Sequence, residues 1–381
     1  MASLYVHIPY CEKKCIYCDF YSIENHASVP EFLRALSREI DSYADEFAAR
    51  ESIETVFFGG GTPSLLPPSE IQAIIDHMRE RFTILPDAEI TMEANPGTID
   101  QSAFEGYRRA GVNRMSIGIQ SFNPSELAFL GRIHTAEEAA RAVRDAYQAG
   151  FENVSCDLIF SLPGQTPEGW QETLHRALEL GPKHISAYSL IVEEHTPLHA
   201  MVARREVVPL EESVDAGIYE STMRILEEHG YGHYEISNYA RPGFECRHNL
   251  NYWNHANYLG FGPSAHSFWR ESTEEGLRWW NERSIARYLE KIGAQGRAMA
   301  GSDPIDRASM IEEEIFLGLR CGALDLAKLE REFGHAFDLQ RRSLIEAYEE
   351  EGFVTRRDHR LSLTPRGFMM CDAIAEALIG R

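Results

Sequence analysis

The sequence predicts an α/β fold: a partial (β/α)6 barrel of the TIM type, followed by a C-terminal helical, winged-helix-like domain. Short β-rich runs alternate with amphipathic helical stretches as far as about residue 230, and then the texture changes. The strand candidates are Leu4 to Ile8, Thr55 to Gly59, Glu89 to Ala94, Arg114 to Gln120, Val154 to Phe160 and His184 to Ile191. Between them, VPEFLRALSREIDSYADEF, SEIQAIIDHMRERF and HTAEEAARAVRDAYQAG place apolar residues at i, i+3 and i+4. Several such runs open on Ser, Thr or Pro and end before a glycine, as at Gly150 and Gly230. Repeated βα units imply a parallel sheet. Six in order, with polar residues at nearly every strand end, favour a barrel whose site lies at the C-terminal strand ends; an open sheet is the alternative.

Three domains are expected, 1–230, 231–300 and 301–381. Residues 231–300 are rich in Tyr, Trp, His and Asn without a clear period, and are read as an extension packed on the barrel. From about Ser302 short helical stretches return: IEEEIFLGL, LAKLEREFG and RRSLIEAYEEEG. FVTRRDHRLSLTPRG then reads as a hairpin around Asp358 and His359. Without a basic recognition helix, this winged-helix-like module is expected to serve packing or a partner rather than DNA.

The formal charge of -22 argues against nucleic acid and anionic membranes as partners, and no Lys/Arg run supplies a local exception. No apolar run approaches the roughly 20 residues of a transmembrane span. The start, MASLYVHIPY, has no export signal, so a cytoplasmic protein is expected. Seven cysteines, three of them clustered, then point to metal or redox chemistry rather than to disulfides.

Those three are Cys11, Cys15 and Cys18 in CEKKCIYC, just past the first strand. A structural zinc site wants a fourth Cys or His to close its tetrahedron, and neither His7 nor His26 stands at a usual spacing. Three thiolates suit a four-iron, four-sulfur cluster with one iron left open. Zinc remains the alternative. Cys156, Cys321 and Cys371 are scattered and read as core cysteines.

This loop resembles the cluster loop of the radical S-adenosylmethionine (SAM) enzymes. In that family the open iron is chelated by SAM, whose reductive cleavage yields a 5′-deoxyadenosyl radical. GGGTP (Gly59 to Pro63), TMEANP, GIQSF, LGRIH and DLIFSLPGQT resemble one branch in particular, that of the oxygen-independent coproporphyrinogen III oxidases. The resemblance covers nearly the whole chain. It implies a SAM pocket lined by Tyr5, Tyr17, Gly60, Gly61, Thr62, Glu93, Gln120, Arg132 and Asp157. Those residue types suit the task. Glycines let the backbone approach a ligand, carboxylates bind hydroxyls or offset a sulfonium, and Arg pairs with a carboxylate.

Two departures separate the chain from the oxidase. Phe20 stands where the oxidase has a further cysteine, and only ten residues precede Cys11 where the oxidase has a long N-terminal segment. Both features are similar to the sister group of HemW-type heme chaperones. In RHNLNYWNH, the residues His248, Asn249, Tyr252 and Trp253 match that group's heme-associated HNxxYW signature. A neutral imidazole can ligate heme iron, and Tyr and Trp offer flat faces to a porphyrin. On residue type alone, a His beside aromatics is more often a hydrogen-bonded core residue. Cys246, His255 and His266 are alternative ligands.

The resemblance therefore implies a heme chaperone with a 4Fe-4S cluster, SAM and heme as cofactors. Its implied partners are acceptor hemoproteins, membrane respiratory enzymes among them. The competing expectation is a coproporphyrinogen III oxidase or a related radical SAM enzyme acting on a porphyrin. No catalytic residue is assigned, and whether the chain is an enzyme stays open.

Overall fold

Strict alternation along the first six strands sets the layers of the molecule, which a computed structural model describes over residues 1–334 and 337–380. The strands are β1 (Ala2–Ile8), β2 (Ile53–Gly60), β3 (Ile84–Ala94), β4 (Arg114–Gln120), β5 (Asn153–Phe160) and β6 (His184–Ser189), all mutually parallel. Leu4, Val6 and Ile8 point outward under the helices, as do Val56 and Phe58, Met115 and Ile117, and Cys156 and Leu158. Each fully buried apolar side chain of this layer contributes about 1.5–3 kcal/mol. The inward positions are mostly polar, Phe57 and Ile159 excepted: Ser3 pairs across with Thr55, Thr55 with Glu89, Glu93 with Ser116, and Asp157 with Ser186. A parallel sheet packed on both faces usually reads as an unbroken apolar run. The alternation here belongs to a sheet curled around a polar lumen.

The expected helices form where their start and stop signals lie. Val29–Phe47 carries Pro30 in its first turn, and Ala136–Gln148 opens on a complete capping box between Thr135 and Glu138.

Residues 231–300 do not form a separate layer. Their strands extend the same sheet at both edges, in the order β12-β11-β10-β9-β1-β2-β3-β4-β5-β6-β8-β7. On one side lie β7 (Gly232–Glu235) and β8 (Asn238–Ala240), antiparallel to β6. On the other, β9 (Tyr258–Phe261) runs parallel to β1, followed by antiparallel β10 (His266–Arg270), β11 (Glu275–Asn281) and β12 (Met299–Asp306). The chain must therefore cross from one edge to the other between Ala240 and Tyr258. The short helix Arg247–Trp253 makes that crossing beneath the N-terminal ends of the strands.

The C-terminal domain joins helices Arg307–Arg320, Leu326–Phe333 and Arg342–Glu350 to a small sheet. That sheet is β13 (Ala323–Asp325), β14 (Val354–Arg357) and β15 (Arg360–Leu363), in the order β13-β15-β14. Asp358 and His359 both take positive φ, as a two-residue hairpin turn requires. Residues 335, 336 and 381, inside the expected 301–381 domain, lie outside the described residues. Among the described residues no helix is long and apolar enough to cross a membrane.

Candidate functional site

The lumen opens at the C-terminal strand ends and is closed at the other. At the open end, the loop after β1 is tied down at both sides: the Cys11 amide donates to the Ile23 carbonyl at 3.0 Å, and Ile23 returns a bond to Pro9 at 2.8 Å. Cys11, Cys15 and Cys18 are all free thiols, half-buried, on one wall of a cavity of about 410 Å³. No three His, Cys, Asp or Glu side chains among the described residues converge to hold a single metal ion. Soft sulfur donors spread over one wall suit a cluster better than a tetrahedral zinc site. Burial pushes the Cys18 thiol up to about 11, so without a cationic centre it holds its proton.

The polar lumen leads away from these thiols. The Gly61 and Thr62 amides donate to the Ile8 and Tyr10 carbonyls at 2.9 and 2.7 Å, which ties the glycine turn to the base of the cysteine loop. A Cβ on Gly61 would sit 2.6 Å from the Tyr10 carbonyl oxygen, so only glycine fits there. Thr62 donates to Cys11 Sγ at 3.5 Å. Arg132 donates to Asn95 Oδ1 at 2.6 Å, to the Gly118 carbonyl at 2.7 Å and toward Cys15 Sγ at 3.6 Å. Asn95 in turn donates to Thr62 at 2.8 Å. Three strand ends and the thiols are thereby joined in one network. At Gly118 a Cβ would meet Gln120, Asn95 and Arg132 at 2.9–3.4 Å, so that glycine keeps space for the arginine.

Glu93 and Asp157 face each other in this lumen. Burial, then the charge of Asp157, raises Glu93 to about 8. Burial likewise raises Asp157, against hydrogen bonds from Ser116 and Ser186 at 2.8 Å and Ser155 at 3.0 Å. Two buried carboxylates in one cavity favour a cationic ligand. Tyr17, Gly60, Gly61, Glu93, Gln120, Arg132 and Asp157 line the same cavity as the cysteines. Thr62 sits just behind it, against a small recess shared with Cys15 and Arg132. Tyr5 lies elsewhere: with Tyr252 it faces a neighbouring cavity of about 350 Å³.

The HNxxYW stretch is at the opposite end. Both carboxylate oxygens of Glu89, at the foot of the lumen, accept from the first amides of the helix Arg247–Trp253, those of Arg247 and His248, at 3.1 Å. His248 is 1% exposed. Its Nδ1 bonds Thr55 Oγ1 at 2.7 Å, its Nε2 bonds the Tyr252 hydroxyl at 3.0 Å, and its ring stacks on Phe57 at 5.0 Å. Burial lowers it to about 3, which keeps the imidazole neutral with both nitrogens engaged. The expectation of His248 as a heme anchor thus meets a closed site. Asn249 alone of the four signature residues reaches the lumen cavity, and Trp253 is half-buried on the floor helix. Cys246 is fully buried beside Glu89, and His255 is clamped by Glu313 at 2.9 Å.

Sequence reasoning missed Asn95, Ser116 and Ser186. Asn95 lay inside the quoted TMEANP, but its bridge between Thr62 and Arg132 is tertiary. The two serines follow from the inward register and were available from the alternation itself.

The chain is similar to known proteins. The Radical SAM superfamily matches residues 5–177, and the HemN C-terminal domain matches residues 305–370. The heme chaperone HemW of Mycobacterium tuberculosis is 35% identical over 99% of this chain and 95% of its own length. That of Bacillus subtilis is 33% identical over 100% of both, and that of Escherichia coli 44% identical over 69% of both. Among solved structures, the coproporphyrinogen III oxidase (HemN) of Escherichia coli, a radical SAM enzyme, matches with a TM-score of 0.84. It is 26% identical, over 100% of this chain and 90% of that one.

Proposed function

The chain belongs to the HemW family of the radical SAM superfamily, and from that premise we propose that it is a heme chaperone, binding heme and handing it to acceptor hemoproteins. The family implies a 4Fe-4S cluster and SAM. In this reading Cys11, Cys15 and Cys18 hold the cluster, and SAM occupies the lumen beyond it. The observation that carries the reading is the placement of three free thiols, Arg132 and the Glu93–Asp157 pair on one cavity. The bound cluster supplies one-electron chemistry and an open iron.

The chain's own groups do the holding. Arg132 offers a cation to a carboxylate, Glu93 and Asp157 face the sulfonium and ribose, and the backbone at Gly60 and Gly61 lets a ligand approach closely. Tyr17 and Gln120 close the sides. Residues 1–230 carry this site, 231–300 supply the heme-associated part, and 301–381 form a packing or partner domain.

Anaerobic reconstitution followed by iron, sulfide and heme-transfer assays tests the proposal. Cys15→Ala is expected to lose most of its iron and sulfide, and full retention would remove the cluster assignment. Wild type is expected to bind hemin and load an apo-hemoprotein. The second reading, a porphyrin-directed radical enzyme, is favoured by the whole-chain match to the oxidase structure. Decarboxylation of coproporphyrinogen III by the reconstituted protein with SAM would establish it. Phe20 in place of the oxidase's additional cysteine speaks against it.

A further inference from the structure

The cavity beside the lumen has features that the cluster and SAM do not use. It lies on the inner face of the sheet where β9 and β10 extend it past β1, and its volume, about 350 Å³, is within the range of small-molecule sites. Tyr5, Tyr252 and Tyr258 give it aromatic walls, with Tyr252 and Tyr258 edge-on at 4.7 Å. Phe20 is 66% exposed and lines both this cavity and the lumen cavity, so one ring separates the two. This exposed ring is available to a flat ligand that enters from either side.

Four imidazoles stand near this part of the sheet. His7 is held through Nε2 by the Tyr21 carbonyl at 2.7 Å and through Nδ1 by Tyr5 at 3.2 Å. His248 is saturated on the floor and His255 is held by Glu313. His266, at the start of β10, differs: it is exposed, it faces the cavity, and neither ring nitrogen makes a hydrogen bond among the described residues. Trp280 stacks beside it with ring centroids 6.0 Å apart. Partial burial and the nearby Arg278 and Arg283 lower its proton affinity, leaving it neutral near pH 7 with a lone pair to donate. Arg283, on the cavity wall, is held at 2.7 Å by Asp19 of the cysteine loop.

We infer that this cavity is the iron-porphyrin site, with His266 as axial ligand to the heme iron, the tyrosines and Phe20 against the macrocycle, and Arg283 facing a propionate. The inference rests on the heme-binding reading and gives it a location. It also places the cargo one side chain away from the cluster loop, so that a propionate on Arg283 competes directly with Asp19. Coordination needs no redox step: the neutral imidazole donates its lone pair to ferric iron, and no proton leaves.

The test is hemin titration of the reconstituted full chain, followed by difference absorption and EPR. Wild type, His266→Ala, His266→Cys and His248→Ala are compared, with iron, sulfide and thermal unfolding as folding controls. His266→Ala is expected to bind hemin at least tenfold more weakly and to lose the nitrogen-ligated signature. His266→Cys is expected to show a thiolate-ligated spectrum, a gained signal that a merely structural role would not produce. His248→Ala is expected to keep the wild-type spectrum. Wild type that takes up no hemin would overturn the heme reading as a whole. Wild-type uptake with unchanged affinity and spectrum in both His266 variants would overturn the His266 assignment alone. Loss in His248→Ala with retention in His266→Ala would return the ligand to the floor.

Discussion

The two ends of the barrel carry similar chemical vocabularies and use them in opposite ways. At the C-terminal ends of the strands, three thiols, an arginine and two carboxylates line open space. At the N-terminal ends, a histidine, a glutamate and a cysteine are packed until little capacity remains. Glu89 caps the helix Arg247–Trp253, His248 spends both nitrogens and Cys246 is buried against Glu89, while Arg114 between the two ends lines the lumen cavity with its Nε unpartnered. Residue type therefore does not separate a site from a plug. Saturation does: a ligand-binding group must have a valence left to offer.

The largest expected effect strikes the plug. Glu89→Ala strips two helix amides of their acceptor and leaves Arg114 with less counter-charge in a dry environment. Breaking such a buried arrangement costs about 3–5 kcal/mol. Denaturant unfolding of the apoprotein should show it, and a loss below about 1 kcal/mol would mean the floor is not the closed structure described.

At the open end, Gly61→Ala brings a methyl to 2.6 Å from the Tyr10 carbonyl oxygen. A clash of this kind costs about 1–3 kcal/mol, and SAM affinity should fall at least tenfold because the turn abuts the thiols. Equilibrium binding of SAM to the reconstituted variant checks this; wild-type affinity would break the link between the turn and the site.

His248→Ala is the converse experiment. It leaves the Tyr252 hydroxyl without its partner while Thr55 keeps its bond to Ser3, for about 1–3 kcal/mol, and iron and sulfide content and SAM affinity stay at wild-type levels. Loss of the cluster on this substitution would erase the division between the two ends.

The last effect is a titration. Burial and Asp157 raise Glu93 from 4.5 to about 8. A carboxyl whose folded pKa is raised adds stability that is complete below 4.5 and is lost as the pH rises through about 8. Thermal unfolding of the SAM-free protein should therefore weaken from pH 6 to 9, and Glu93→Gln should flatten that slope. An identical slope in the variant would place the carboxylate outside the buried lumen.

The open end was legible in the sequence because its information is local. Cys11, Cys15 and Cys18 lie in one loop, the glycines follow a strand, and the period-two alternation of ITME and MSIGI marks one polar face. The plug was not legible in the same way. The helix Arg247–Trp253 has seven residues and no cap bond from its own N-cap residue Cys246, and its partners Ser3, Thr55 and Glu89 come from three distant strands. The strands of 231–306 escaped notice for a related reason. They divide between two edges of a sheet already begun, so their pairing is almost entirely non-local. The HNxxYW stretch shows the chemistry of its residues in sequence, but not that both ring nitrogens of His248 are hydrogen-bonded, which depends on partners from other strands.

The account stands most directly on EPR of the reduced, reconstituted cluster recorded with and without SAM. It predicts that SAM changes the spectrum of the wild type and, equally, that of His248→Ala, because the open iron lies at the thiol end and the floor only supports it. A wild-type spectrum indifferent to SAM, or a change abolished by His248→Ala, would contradict it.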